Sequence, residues 1–461
     1  KEGFIHMSLS KSMTSGSPLK HIVSFAIPIA LGSLFQLIYS IVDSAVVGRL
    51  IGVDAFAAVG AAGNMNWMVV SVILGTTQGF GTVTAQHFGS GDSEKVRKSF
   101  AASMALSLLA GVILSAVAVM MTHPLLVMLQ TPEEIFADTA HYLQVLFGGL
   151  FITFLYNNLG ASLRSVGNSR TPFYALIISS ILNVILDILL VKLTPWGVAA
   201  AALATVISQA VSCIYCLWFI RKIDVFQLKK EDCIPEWKML SVHIKVGGTM
   251  GFRNLVTDIV GIITQYYVNG YGVDFIAAIA ASKKMYGVLE LVSCGMEGAI
   301  ATYVAQNYGA RNMQRIRKGL RQSAVVMLVG VGVIMAGMFL FGRNIMGLLI
   351  TGDAEQLDRV LNYACEQLNI MLIFLPFLYM LYLFRSALQG MDGVSLTMVS
   401  GFVELFARLI VVFTLPGLIG RWGVYLIEVS SWPAAMLFLC ISFFAVYRKR
   451  CRTFSSETTS E

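Results

Sequence analysis

Ala85-Gln86-His87-Phe88-Gly89 returns 220 positions later as Ala305-Gln306-Asn307-Tyr308-Gly309, and it does not return alone. Gly52-Val53-Asp54 returns as Gly272-Val273-Asp274, Ala57-Ala58 as Ala277-Ala278, and Arg97-Lys98 as Arg317-Lys318. One constant offset held over some forty-five residues marks a duplication. In a chain this apolar, a duplicated half points to a transporter whose substrate path lies between two related bundles.

The composition supports that reading. The chain is 56% hydrophobic and 13% charged, against about 25% charged in ordinary soluble domains, and its mean hydropathy is +0.74. Twelve apolar stretches can cross a bilayer: 22–46, 56–83, 99–122, 139–162, 173–192, 198–220, 244–268, 275–303, 322–342, 361–384, 396–415 and 423–447. They are uniformly apolar and lack the alternation of barrel strands, so the expected class is an all-α membrane protein of twelve transmembrane helices. Seven cysteines form no framework, and Cys213 and Cys216 have CxxC spacing inside an apolar helix, where they read as packing residues.

The net charge of +7 is distributed as a topology signal. With the N-terminus placed on the cytoplasmic side, 24 of the 33 Lys and Arg fall in inner segments, Arg385 among them, and five fall in outer loops. Basic loops of this kind face anionic lipid, and no nucleic-acid partner is expected. The expected organisation is a cytoplasmic N-terminal segment (1–21), a six-helix N-lobe (22–220), a polar linker (221–243), a six-helix C-lobe (244–447) and a cytoplasmic tail (448–461). The first segment reads as an interfacial leader, with Met7 a candidate start. Six spans per half make the repeat a parallel one. A second echo, Leu163-Arg164-x-x-Gly167 against Leu388-Gln389-x-x-x-Gly393, aligns the two glycines.

Each ionisable group inside a bilayer needs a reason. On the first helix Asp43 shares a face with Gln36, Tyr39 and Ser40; on the fifth span Asn183 and Asp187 are i and i+4. Two carboxylates and an amide in a low-dielectric cavity suit a hard cation or a proton. Capping of outer helix ends is the plainer alternative. Pro28 interrupts the first helix's ladder and is a candidate hinge.

Ala26-Ile27-Pro28, Tyr39-Ser40-Ile41-Val42-Asp43 with Gly48, the two Gln-x-aromatic-Gly motifs at 86–89 and 306–309, and above all Ser162-Leu163-Arg164-Ser165-Val166-Gly167-Asn168-Ser169-Arg170-Thr171-Pro172 followed by Asn183-x-x-x-Asp187 form a recognisable set. With these motifs the chain resembles the multidrug and toxic compound extrusion (MATE) family over residues 18–448. The resemblance implies a twelve-helix exporter of two lobes, in a bacterial cytoplasmic membrane, moving amphipathic and often cationic compounds out in exchange for Na+ or H+. It implies a cation-coupling site at Asp43, Asn157, Asn183, Asp187 and Thr205.

The C-half is no copy of this site: at the repeat offset Asp43 maps to Ile263, and by local motif Asn183 maps to Arg408. Instead Lys283, Glu290 and Glu297 follow one another at i+7 on the eighth span, with Tyr286 beside them. With Gln36 and Tyr39 these are the candidate substrate-cavity residues. The plainer account is mutual neutralisation of Arg253, Lys283, Lys284 and Arg408 by Asp258, Glu290, Glu297 and Glu404, with Glu404 and Arg408 pairing at i,i+4. No Walker or hydrolase motif appears, so neither an enzyme nor a resident cofactor is expected, and the chain should work as a monomer. A lipid-linked oligosaccharide flippase of the same superfamily is the alternative.

Overall fold

The computed structural model describes residues 10–234, 236–348 and 354–458; Met7, the rest of the first nine residues and the last three of the tail lie outside them. The described residues form thirteen α-helices: α1 (Pro18–Leu50), α2 (Val53–Gly89), α3 (Ser93–Met128), α4 (Glu133–Gly148), α5 (Leu150–Ser165), α6 (Arg170–Leu193), α7 (Val198–Ile220), α8 (Trp237–Asn269), α9 (Val273–Gly309), α10 (Met313–Gly347), α11 (Ala354–Gly390), α12 (Val394–Ile419) and α13 (Arg421–Thr458). Two 3-10 turns, Asp224–Phe226 and Lys230–Cys233, lie between α7 and α8.

The duplication is visible in the backbone. α2 and α9 are each 37 residues long and begin 220 positions apart, both behind a left-handed glycine, Gly52 and Gly272. α3 and α10 begin at the same offset and are capped alike: the Asp92 side chain accepts from Lys95 N at 3.0 Å, and Asn312 from Arg315 N at 3.0 Å. Each cap satisfies an amide that the first helical turn leaves without a partner. The second echo is shifted by one residue from the sequence alignment. Gly167 has φ +85°, and the left-handed residue of the C-half is Asp392 (φ +63°), not Gly393. The closing bonds agree, Asn168 N to Leu163 O (3.0 Å) matching Gly393 N to Leu388 O (2.8 Å).

Ten helices are long and apolar enough to span a bilayer, and α4 with α5 makes an eleventh if the pair is one span. That pair occupies the expected span 139–162 and is bent by 48°. The cause is an inserted side chain: Ser115 of α3 donates to Gly148 O (3.5 Å) and accepts from Phe151 N (3.3 Å), replacing part of the helical ladder. α8 contains the seventh expected span, 244–268, but Lys245, Arg253 and Asp258 make it the most polar of the set. The packing is inside out in the manner of a membrane protein. The buried residues of α6 are Pro172 together with Thr171, Ala175, Ser179, Asn183 and Asp187, the last five a row at i+4 spacing, while Ile181, Ile185 and Leu189 stand exposed. Water would not tolerate that apolar belt; acyl chains do.

The chain forms two compact units, and their division does not fall in the linker. One unit holds residues 1–13 and Leu31–Gly251, the other Thr14–Ala30 and Phe252–Glu461. α1 and α8 are therefore each shared, and the switches lie at nearly repeat-equivalent positions. In the first unit α8 opens against α2 and α3: a Cβ on Gly79 would stand 2.7 Å from Gly247 Cα, and buried His243 is bound through Ser99 Oγ (3.0 Å) and Met239 O (2.9 Å). In the second unit a Cβ on Gly295 would stand 2.8 Å from both Ala26 O and Ala30 Cβ, so α9 meets α1 around Pro28.

The linker is strapped to α3. Phe226 packs on Phe100, Arg97 Nε bonds Asp232 Oδ2 at 2.9 Å, and Lys98 lies 2.7 Å from both Glu94 and Glu236. Burial would push the Asp232 carboxyl up, but the Lys229 backbone N–H (2.9 Å) and the Arg97 guanidinium together hold it below the ordinary carboxylate value. A depressed folded value stabilises the strap above the unfolded value of about 3.9 and is lost as pH falls through the folded one. Hydrogen exchange of residues 224–234, corrected for the intrinsic amide rate at each pH, should therefore stay slow at neutral pH and quicken in acid below that value. Arg97→Ala should quicken it at neutral pH and flatten the pH profile.

Candidate carboxylate site and the buried charges of the second unit

α1, α6 and α7 bring four polar groups together inside the first unit. Asp43 (8% exposed), Asn183 (1%) and Asp187 (0%) are buried, and the two carboxyls are within hydrogen-bonding reach of each other. The i+4 row of α6 aims Asn183 and Asp187 at α7 because the small residues on that face admit close approach. The Asn183 amide is satisfied in one orientation: its nitrogen donates to Asp187 Oδ2 (2.7 Å) and the Tyr39 hydroxyl (3.1 Å), and its oxygen accepts from Thr205 N (3.0 Å). Asp43 Oδ1 and Asp187 Oδ1 have no hydrogen-bond partner among the described residues. Two ionised carboxyls in contact away from water repel strongly, and a proton between them or a cation across them removes that repulsion.

Of the residues proposed for coupling, Asp43, Asn183, Asp187 and Thr205 meet here. Asn157 is half-buried on α5, and its amide donates to Thr153 O of its own helix at 2.8 Å. Tyr39 belongs to the carboxyl network, whereas Gln36 and Ser40, on the next edge of the same stripe, are exposed. Tyr142 of α4, buried and within electrostatic reach of Asp43, Tyr39 and Asp187, went unflagged in sequence. It stands in an ordinary amphipathic run, and only the bend after α4 explains how that helix is aimed.

The second unit carries a different arrangement. Tyr286 and Tyr382 both donate to Glu290 Oε1, the latter at 2.6 Å, and Tyr286 stacks on Trp432 (5.8 Å between centroids, 14°). Lys283 is exposed and bonds Gln265 (3.2 Å), while Glu297 is half-buried. Glu404 and Arg408 do not pair with each other: Glu404 binds Arg385 of α11, and Arg408 binds Glu428 (2.7 Å) and Ser431 (3.1 Å) of α13. Both partners, the Arg385 guanidinium and the Glu428 carboxylate, come from neighbouring helices because α12 turns its buried row, Glu404 and Arg408 included, into the unit. Arg385 is thus a buried member of this cluster, not an inner-loop charge. Among the described residues no group of three metal-ligating side chains occurs, and Cys213 and Cys216 are buried and free.

A family model described as MatE matches residues 28–189 and 250–414. The chain is 27% identical to the probable multidrug resistance protein YpnP of Bacillus subtilis, over 66% of this chain and 68% of that one. It is 24% identical to the multidrug export protein MepA of Staphylococcus saprophyticus, over 91% and 93%. Among solved structures, a MATE in a bent conformation is similar at TM-score 0.85, with 20% identity, covering 95% of this chain and 98% of that one.

Proposed function

Because the chain belongs to the MatE family and is a multi-pass membrane transporter, we propose that it is a secondary antiporter that exports amphipathic, cationic compounds in exchange for H+ or Na+. One observation carries the reading: Asp43 and Asp187 lie within hydrogen-bonding reach of each other in a buried site with Asn183, Thr205 and Tyr39 around them. Such a pair has two states of different charge, which is what coupling a gradient to a conformational change requires. The names of the relatives support export of drugs by this fold.

The Asn183 amide bears on the ion. With its nitrogen on Asp187 and its oxygen on Thr205 N, it turns no amide oxygen toward the carboxyls. That orientation suits a shared proton, and the same amide turned over would offer its oxygen to Na+. Efflux from proteoliposomes under separately imposed pH and Na+ gradients tests both. A pH gradient alone should drive export, and drive by Na+ alone would replace the proton in this account. With both termini in the cytoplasm of a bacterium, protons would enter as substrate leaves.

Pro28 lies two residues before the switch of α1 from one unit to the other, and it leaves Ser24 O without its helical donor. Pro28→Ala restores the donor, so efflux should fall by about fivefold or more while thermal stability holds or rises. Unchanged turnover would make the proline a static kink. Gly295→Val, which pushes a branched side chain against the same turn, should cost about 1–3 kcal/mol and lower the melting temperature in detergent.

A further inference from the structure

Three buried side chains of the second unit each keep a donor without a partner among the described residues. Arg253 and Arg385 are each 7% exposed and Gln389 is fully buried. Arg253 Nε and Nη2 both bond Asn254 Oδ1 (3.3 and 2.8 Å), but its Nη1 has no partner among the described residues. Arg385 gives Nη2 to Glu404, while its Nε is likewise without a partner. Gln389, one turn further along α11, has neither amide atom bonded.

The placement is specific. A Cβ on Gly401 would stand 3.0 Å from Arg253 Cγ, so the Arg253 stem crosses α12 one turn before Glu404. Arg253 lies within electrostatic reach of Arg385, Glu404, Glu297 and Tyr382. Tyr382 sits against the Arg385 guanidinium (5.6 Å to the ring centroid) and gives its hydroxyl to Glu290. An unsatisfied buried N–H is costly, and three in one region of the unit are not expected of a finished ion-pair network. Two guanidinium groups and an amide offer N–H donors to both oxygens of one carboxylate.

We propose that Arg253, Arg385 and Gln389 form a carboxylate-binding subsite in the second unit, which holds the acid group of a transported amphiphile. The subsite rests on the export reading above, and it adds an anionic group to what that reading requires of the substrate. Glu290 is linked to this region through Tyr382, which donates to it and sits against the Arg385 guanidinium.

The test uses the full chain in detergent and two dyes that differ only at the acid: rhodamine B and its ethyl ester, with binding followed by fluorescence polarisation. Arg253→Gln should weaken rhodamine B about tenfold or more and leave the ester within about twofold, because only the acid uses the donors. Arg253→Lys, which keeps the charge and loses the fork, should fall between. Gln389→Leu changes no charge and keeps the volume, so it decides the matter should Arg253→Gln fail to fold; it should weaken rhodamine B by about threefold and spare the ester. Equal weakening of both dyes, or acid binding unaffected by Gln389→Leu, overturns the subsite and leaves export standing. Failure of the wild type to bind either dye overturns the export reading, and the subsite falls with it.

Discussion

Replacing Asp43 by Asn should lower gradient-driven efflux at least about tenfold, with the protein still folded and still binding substrate. The amide keeps the size of the acid but can neither be ionised nor share a proton with Asp187. The pair then loses one of its two charge states, and with it the difference in free energy by which a gradient biases the transporter. If the two carboxyls, which lie within hydrogen-bonding reach, act as one group, Asp43→Asn with Asp187→Asn should be no worse than either alone. Initial efflux rates from proteoliposomes under a fixed gradient supply the measurement. Wild-type rates in Asp43→Asn would remove the site from the mechanism.

A second large effect concerns stability. Glu404→Gln should leave the Arg385 guanidinium buried without a counter-charge and cost about 3–5 kcal/mol. The pair is almost wholly enclosed, the two side chains being 7% and 9% exposed, so solvent screens it little. Arg385→Met combined with Glu404→Leu should recover most of the loss, since well-packed apolar side chains remove both desolvation penalties. Thermal unfolding of the single and double variants in one detergent closes the cycle. A Glu404→Gln variant that melts with the wild type would mean that water reaches Arg385.

The class of the fold was legible because the duplication and the apolar runs are properties of sequence order. The caps at Asp92 and Asn312 show why: the same turn chemistry was copied with the same register. The aspartates of the first unit could be found because an acid in an apolar run has few innocent explanations. What sequence could not supply were relations between helices. Glu404 and Arg408 have the spacing of a pair, but Arg385 and Glu428 compete for them from α11 and α13 and win on geometry. Nor can a lone Ser115 announce that it will enter another helix's ladder and bend it. The one-residue shift of Gly167 onto Asp392 has a similar origin, since a left-handed position does not demand glycine when Asp can tolerate it.

The exchange of helix portions at Ala30 and Gly251 limits how such a chain could have arisen. A single six-helix ancestor would have carried an opening segment with no home in its own body. Neither half of the sequence holds a whole unit, since each unit takes a short segment from the other half. The same logic predicts that the halves, produced as separate polypeptides, would be inactive alone and would recover function only when made together.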